Sequence, residues 1–206
     1  MNLEEDNKTT RDYCKTSAQR VHDQMVSIRE SIVNSGLNDF LNAKDKFLWI
    51  QVVSAMDVIE DTAMAIMAYC STMVDEGEKG RLYLVIYGLF QVFFVQQDAV
   101  KDLCTGLEVD DIWESRDSIL GEIRRIRNKA VGHPTRRGKA NELSHHGLVR
   151  VELSMGKITV WSSEPDKPYE HETYYPFVLV DQQSAAISQV LSEVMLFIER
   201  LKKEVD

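Results

Sequence analysis

Arg127, Asn128 and His133 lie in one short segment, RNKAVGH (127–133), and their side chains suit chemistry on a phosphate ester. An arginine can hold two phosphate oxygens with its planar guanidinium group. A histidine can give or take a proton near neutral pH, because the unperturbed pKa of imidazole lies close to neutrality. The amide of Asn128 can orient either the histidine or the phosphate. Together these residues can supply a phosphate-binding cation and a proton-transfer group.

An amphipathic helix leads into this segment. Its apolar residues recur at steps of four, three and four: Ile119, Ile123, Ile126 and Ala130. This spacing is typical of one helical stripe that faces a core. Gly132 suits the left-handed residue just past a helix end, and Pro134 disfavours helical geometry at the residue before it. We therefore predict that the helix ends near Val131.

The same helix and the loop after it form an island of positive charge. Its basic residues are Arg124, Arg125, Arg127, Lys129, Arg136, Arg137 and Lys139. The whole chain has 24 basic and 33 acidic residues and a formal net charge of −9, so the island is a local feature. Apart from Arg127, these side chains are predicted to bind phosphate or RNA. The alternative is a solvated helix end, where cations suit the helix dipole.

The order of residues in the segment 127–133 resembles the motif of the HEPN superfamily. These are small helical-bundle proteins that include RNA-cleaving toxins and defence nucleases. Their motif is an arginine, usually followed by Asn, Asp or His, with a histidine a few residues later. The resemblance covers roughly residues 10–134 and the last helix. It implies metal-independent cleavage of RNA through the 2′-OH, with a 2′,3′-cyclic phosphate and a 5′-hydroxyl as products and no cofactor. Arg127, Asn128 and His133 would be the catalytic residues.

Helix geometry limits how one chain can assemble this site. Six positions along a regular α-helix place His133 about 120° away from the face of Arg127 and ~9 Å along the axis. Either the chain turns back at Gly132, or two chains combine their residues. The resemblance favours a homodimer, because nucleases of this superfamily pair their motifs across a dimer axis. Leu120 and Val131 flank Arg127 with an apolar stripe that meets either a partner chain or another part of the bundle.

An acidic cluster on the second predicted helix is a further candidate part of the site. Asp57, Glu60 and Asp61 are spaced so that they share one helical face. Glu60 and Asp61 are predicted to pair with Arg124 or Arg127 from behind the site. A solvated acidic face is the alternative. No metal site is predicted, because no further ligands have suitable spacing.

The apolar periodicities predict a mainly α fold, an up-and-down helical bundle of four long helices plus a C-terminal helix. The predicted helices are residues 8–34, 42–75, 81–107, 111–131 and a last one that begins at Asp181. Alternating apolar residues at 149–153, followed by Ile158 and Val160, predict a small antiparallel β-hairpin. An edge strand at 174–180 is also predicted. The chain is predicted to be one domain, 1–206, with the β segment 148–180 inserted in it.

Length and composition narrow the class of protein. A chain of 206 residues with 44% hydrophobic content suits one globular domain. Cys14, Cys70 and Cys104 are few and scattered, which predicts a reducing compartment. The most apolar run, 82–95, is too short to span a bilayer. We therefore expect a cytoplasmic location and no membrane association.

Two main hypotheses of function follow. The first is a homodimeric, metal-independent endoribonuclease, such as the toxin of a toxin–antitoxin pair or an effector of antiviral defence. A cognate antitoxin or regulatory protein would then be a further partner beside RNA. The second is a non-catalytic HEPN module that binds RNA, a nucleotide or a protein. A plain helical scaffold is a third reading, in which Arg127 is an ion-pair residue and His133 a turn residue.

Overall fold

The computed structural model describes residues 3–114, 117–132, 144–164 and 167–205, and it confirms the mainly α class. The helices are α1 (Leu3–Asn34), α2 (Leu37–Lys44), α3 (Lys46–Ser71), α4 (Lys79–Gly106), α5 (Asp110–Glu114), α6 (Asp117–Arg127) and α7 (Pro176–Val205). A π-helical turn, Asn128–Gly132, continues α6. The strands are β1 (His145–Leu148), β2 (Ile158–Ser163) and β3 (Glu170–Tyr174). Helix α1 packs between α3 and α7, and α3 packs against α4.

The stripe of α1 shows how spacing fixes the bundle. Its apolar residues follow steps of four, three, four, three and four: Cys14, Ala18, Val21, Met25, Ile28 and Ile32. Every one of them is buried, at 0–2% exposure. Such a narrow stripe is what a helix needs when it packs lengthwise between two neighbours.

The predicted helix at 42–75 is in fact two helices, which corrects that prediction. Asp45 has an extended backbone, and its carboxylate accepts hydrogen bonds from the backbone N–H groups of Phe47 (2.8 Å) and Leu48 (3.1 Å). This N-cap starts α3 at Lys46 and ends α2 at Lys44. A short acidic side chain that bonds to its own backbone interrupts a helix even where the apolar spacing continues.

The β segment is a three-stranded antiparallel sheet in the order β1-β2-β3, and the predicted hairpin was misplaced. The first strand lies earlier than expected, with His145 opposite Ser163 and Leu148 opposite Val160. Residues Arg150–Glu152 form a 3₁₀ turn, and Val151 is exposed. The alternating residues at 149–153 were therefore wrongly assigned to a strand.

The edge strand predicted at 174–180 is also wrong. Strand β3 ends at Tyr174, and α7 begins at Pro176 rather than at Asp181. Proline suits the first turn of a helix, because its ring presets the backbone angle and its missing N–H would have no helical partner there. Asp181 lies inside α7 and accepts a hydrogen bond from Ser17 Oγ at 2.9 Å.

The hydrophobic core has two clusters. The motif-end core contains buried residues of the helices, among them Ile66, Phe90, Phe93, Ile123 and Ile126, together with Leu153, Met155, Ile158 and Val160 of the sheet segment. The opposite core contains, among others, Met25, Ile28, Met56, Leu103, Ile187 and Val190. The sheet therefore supplies part of the core on which the basic helix rests.

Helix α4 contains the long apolar run 82–95. By length and composition alone it could cross a membrane, a test that the core helix of a bundle also passes; among the described residues no other helix meets it. In this fold α4 packs against α3, α5, α6 and α7. Leu84 and Tyr87 are 73% and 39% exposed, so one side of α4 is incompletely covered by the rest of the fold.

Candidate phosphate-binding site

The motif lies across the junction between α6 and the π-helical turn. Helix α6 ends at Arg127, and Asn128–Gly132 follows with π geometry. Single π-helical turns within α-helices are frequent at functional sites. The angle of about 120° was calculated for a regular α-helix, whereas residues 128–132 have π geometry.

Arg127 is held against α4. Its Nη2 donates to Gln91 Oε1 at 2.8 Å, its Nη1 donates to Asn128 Oδ1 at 3.0 Å, and its Cζ lies 4.6 Å from the centroid of the Phe94 ring. The Nε atom is buried without a hydrogen-bond partner. Within the described part of the chain, no carboxylate neutralises this guanidinium group.

Arg124 shares the same aromatic ring but meets an acid. Its Cζ lies 4.5 Å from the Phe94 centroid, its Nε donates to Gln97 Oε1 at 2.9 Å, and its Nη2 donates to Asp98. The charge of Arg124 is therefore paired, whereas the charge of Arg127 is not. Arg124 was predicted to bind phosphate or RNA, and in the structure a carboxylate already contacts it.

A buried chain of amides continues from Arg124 into the bundle. Gln97 Nε2 donates to Gln183 Oε1 at 2.8 Å, and Gln183 Nε2 donates to Gln96 Oε1 at 2.9 Å and to the Phe93 carbonyl at 3.3 Å. All three glutamines are 0–1% exposed. Buried amides need partners, so this chain fixes α7 relative to α4. Sequence reasoning missed it; two adjacent glutamines in an apolar helix were the available signal.

Arg125 and Lys129 face the sheet and contact acids. Arg125 donates to both carboxylate oxygens of Glu122, at 2.7 and 2.6 Å. Its Nη2 also lies 3.5 Å from Glu172 Oε2 and 3.4 Å from the Tyr174 hydroxyl. Lys129 Nζ donates to Glu172, and so does the Tyr174 hydroxyl. Glu172, on β3, is thus the meeting point of three donors.

These contacts shift the pKa values of the group. Burial alone would raise the pKa of Glu172, but hydrogen bonds from Lys129 and Tyr174 and the nearby positive charges outweigh it and lower the pKa to about 2. Burial and the bond to Glu172 raise the pKa of Tyr174 to about 12. Hydrogen bonding to Glu122 raises the pKa of Arg125 above its ordinary value. At neutral pH the cluster therefore contains a carboxylate, a phenol that donates, and two cations.

Glu60 and Asp61, which were predicted to pair with Arg124 or Arg127, do not contact these arginines, which corrects that prediction. Glu60 Oε1 accepts from Arg29 Nε at 2.8 Å, and Asp57 Oδ1 accepts from Arg29 Nη2 at 2.7 Å. Asp61 is exposed. Because α1 packs on this part of α3, its Arg29 supplies the cation that the acidic cluster was expected to receive from the motif arginines.

The apolar stripe beside Arg127 is taken up by the fold. Leu120 is 1% exposed and belongs to the opposite core, and Val131 packs against the motif-end core. The alternative that this stripe contacts other parts of the same chain is therefore confirmed for both residues.

Four predicted site residues lie outside the described residues: His133, Arg136, Arg137 and Lys139. The predicted partnership of Arg127 with His133 stays a prediction. Within the described ranges, no group of three His, Cys, Asp or Glu side chains is placed to hold a metal ion.

A groove on the bundle lies away from the motif. It has a volume of about 650 Å³ and lies between α1 and α7, where Gln24, Leu191, Met195 and Leu196 contribute to its lining. None of the residues predicted for the phosphate site lines it. The arrangement that can bind an anion is therefore the basic helix end and the adjoining sheet, and we treat it as the candidate site.

Comparison with known proteins adds no family to this description. No protein-family model, no curated protein and no solved structure matches the chain. The fold and the site define a mainly α protein in which a basic π-helical turn lies beside a small antiparallel sheet. The likeness to the HEPN superfamily rests on the residues of the motif itself.

Proposed function

We propose that the chain is a metal-independent endoribonuclease of HEPN type that works as a homodimer. The observation that best supports this proposal is the state of Arg127. Gln91 and Phe94 orient its guanidinium group without neutralising it, whereas Arg124 and Lys129 on the same helix segment each contact a carboxylate. An arginine that is held in place and has no carboxylate partner can bind the oxygens of a phosphodiester with its full charge.

In the proposed mechanism, the substrate supplies the nucleophile. The 2′-oxygen attacks the adjacent phosphorus while a base takes its proton, and the bond from phosphorus to the 5′-oxygen breaks as an acid protonates that oxygen. His133, contributed by one or both chains, serves as base or acid. Arg127 stabilises the charge of the phosphorane. Asn128 accepts a hydrogen bond from Arg127 and so helps to fix the guanidinium group.

The outer side of α4 supports pairing of two copies near the motif. Leu84, Tyr87 and Gln91 follow each other at steps of three and four, so they share one face of the helix. Leu84 and Tyr87 are exposed apolar side chains, and Gln91 binds Arg127. A second copy that covers this face would bring two motifs close together. A cognate antitoxin or regulatory protein and a cytoplasmic location belong to the same proposal.

Cleavage of RNA in the presence of EDTA tests the proposal. We expect the purified chain to cleave RNA, and Arg127→Ala to lose about 10²–10³-fold in rate, the scale for a group that stabilises transition-state charge. Arg200→Ala, at an exposed position near the far end of α7, is the matched control and should keep the wild-type rate. No cleavage of varied RNA substrates by the wild-type chain, or full activity of Arg127→Ala, would contradict the nuclease.

A non-catalytic binding module is the second candidate. It is favoured by the carboxylate contacts of Arg124, Arg125 and Lys129, because paired cations have less charge to offer the transition state of cleavage, whereas weak binding of RNA requires less of it. Salt-dependent binding of RNA without cleavage would support this alternative.

A further inference from the structure

Glu172 occupies a place where a phosphate group would fit. Its carboxylate receives hydrogen bonds from Lys129 and from the Tyr174 hydroxyl, and Arg125 Nη2 lies 3.5 Å away. Two cations and a hydroxyl that converge on one pair of oxygens are donors that a phosphate would also accept. The side chain of Lys129 is 17% exposed and that of Glu172 is 32% exposed, so the cluster lies at the edge of the solvent.

The contacts of Glu172 are not what docks the sheet on the bundle. Met155, Ile158 and Val160 of the sheet segment are 0–4% exposed and belong to the motif-end core. Tyr69 also donates to the Met155 carbonyl at 2.5 Å. The side chain of Glu172 can therefore turn towards solvent while the sheet stays in place.

We propose that Glu172 is an internal competitor for phosphate. Its carboxylate fills the anion site of Lys129 and Arg125 until a phosphate group of a ligand displaces it. That the ligand is RNA rests on the proposed function, whereas the anion site itself does not depend on cleavage. The exchange replaces one anion by another, so neither cation is left without a partner at the end of it.

Such competition weakens the binding of the ligand without abolishing it. The apparent affinity equals the intrinsic affinity multiplied by the fraction of molecules in which the site is free of Glu172. Removing the carboxylate should therefore tighten binding of phosphate groups, and the gain should require Lys129. A carboxylate that merely holds the sheet would give no such gain.

Inorganic phosphate tests the anion site without RNA. The test compares the midpoints of thermal unfolding of three full-length proteins, with and without phosphate: wild type, Glu172→Gln and Glu170→Gln. Glu170 lies on the same strand and is exposed, and its side chain makes no hydrogen bond among the described residues, so its variant controls for the change of net charge. Phosphate should raise the midpoint of Glu172→Gln by about 2–4 °C more than that of the other two proteins. An equal shift in all three would overturn the competition.

An oligonucleotide that cannot be cleaved tests the ligand. The probe is a fluorescent 2′-O-methyl RNA, and binding is measured by anisotropy. Glu172→Gln should bind about tenfold more tightly than Glu170→Gln, and adding Lys129→Gln should remove that gain. A gain that survives Lys129→Gln, or no gain at all, would overturn the proposal. Absence of RNA cleavage by the wild type would instead contradict the nuclease function and leave the phosphate result standing.

Discussion

Gln91 on α4 accepts a hydrogen bond of 2.8 Å from Arg127 Nη2, which ties the motif arginine to a helix other than its own. The acceptor is a neutral amide, so the guanidinium group is oriented while it keeps its charge. Arg124, one helical turn earlier, instead meets the carboxylate of Asp98. Arg127, with an amide as its acceptor, thus keeps a charge that can attract an anion, whereas the charge of Arg124 is already paired.

Replacing Gln91 with glutamate should neutralise the charge of Arg127 while its guanidinium group keeps its position. Gln91→Glu offers a carboxylate in place of the amide, and this charge would compete with the phosphate of the substrate. We expect the rate of RNA cleavage to fall about tenfold or more, since a charge-assisted bond of about 1.5–3 kcal/mol would have to be broken. The control is Gln189→Glu, the same change at an exposed position of α7. Equal rates for the two variants would show that the neutrality of residue 91 is unimportant.

The buried amide chain should contribute to stability. Gln183→Ala leaves the amides of Gln97 and Gln96 without their shared partner, which should lower the free energy of unfolding by about 1–3 kcal/mol. Gln182→Ala, at the exposed neighbouring position on α7, should change it by less than about 0.5 kcal/mol. Urea denaturation measures both values. Similar effects for the two variants would mean that the hydrogen bonds among these buried amides do not stabilise the fold.

The ion pairs of Glu172 should make stability depend on pH. Burial raises its pKa, but the bonds from Lys129 and Tyr174 outweigh this and lower the folded-state pKa to about 2, below the value of about 4.3 for an unfolded glutamate. A lowered pKa stabilises the fold above the unfolded value, and this stabilisation is lost as the pH falls through the folded value. The stability difference between wild type and Glu172→Gln should therefore be constant above about pH 5 and shrink towards pH 2.

Urea unfolding at a series of pH values measures that difference. Glu170→Gln is again the comparison, because Glu170 forms no ion pair in the part of the chain that is described. Its difference from wild type should stay small across the same pH range. A difference for Glu172→Gln that does not change with pH would contradict the charged contacts of Glu172.

The cysteines should be unreactive in the folded chain. Burial, aided by the charge of Asp181, raises the pKa of Cys14 to about 11, and burial raises the pKa values of Cys70 and Cys104 to about 12. The thiolate is the reactive form, and all three side chains are buried. A chromogenic disulfide reagent at pH 8 should therefore label none of them quickly, and all three after denaturation in urea. Rapid labelling of one native cysteine would place that residue at the surface.

The helices that sequence reasoning recovered are those with long, regular apolar spacing. Every predicted stripe residue of α1 is buried, because periodicity alone decides which face of a long helix meets the core. The break at Asp45 was missed, since one capping side chain ends a helix without changing that periodicity. The π-helical turn was missed for a similar reason, because nothing in the local spacing distinguishes it from α-helix.

The sheet and the site contacts were harder to predict because they join distant parts of the chain. Strand β1 has almost no alternation of apolar and polar residues. Its Gly147 lies under Trp161, where an added Cβ would come within 2.6 Å of the indole Nε1. The motif identified Arg127, but its partner Gln91 is 36 residues away in sequence. The acidic partner of Arg124 or Arg127 was expected at Glu60 or Asp61, whereas Asp98 of α4 contacts Arg124.

The division of the core into two clusters has a consequence for how the protein opens. Helix α6 and the sheet share the motif-end core, whereas much of α1, α3 and α7 is anchored in the opposite core. Parts of a protein with separate cores can unfold separately and exchange their amide hydrogens at different rates. A protease or binding partner that detaches β2 would thus remove part of the core that Ile123 and Ile126 of α6 share with it, while the opposite core persists. Loss of the sheet would then disturb the helix that carries Arg127 without unfolding the whole chain.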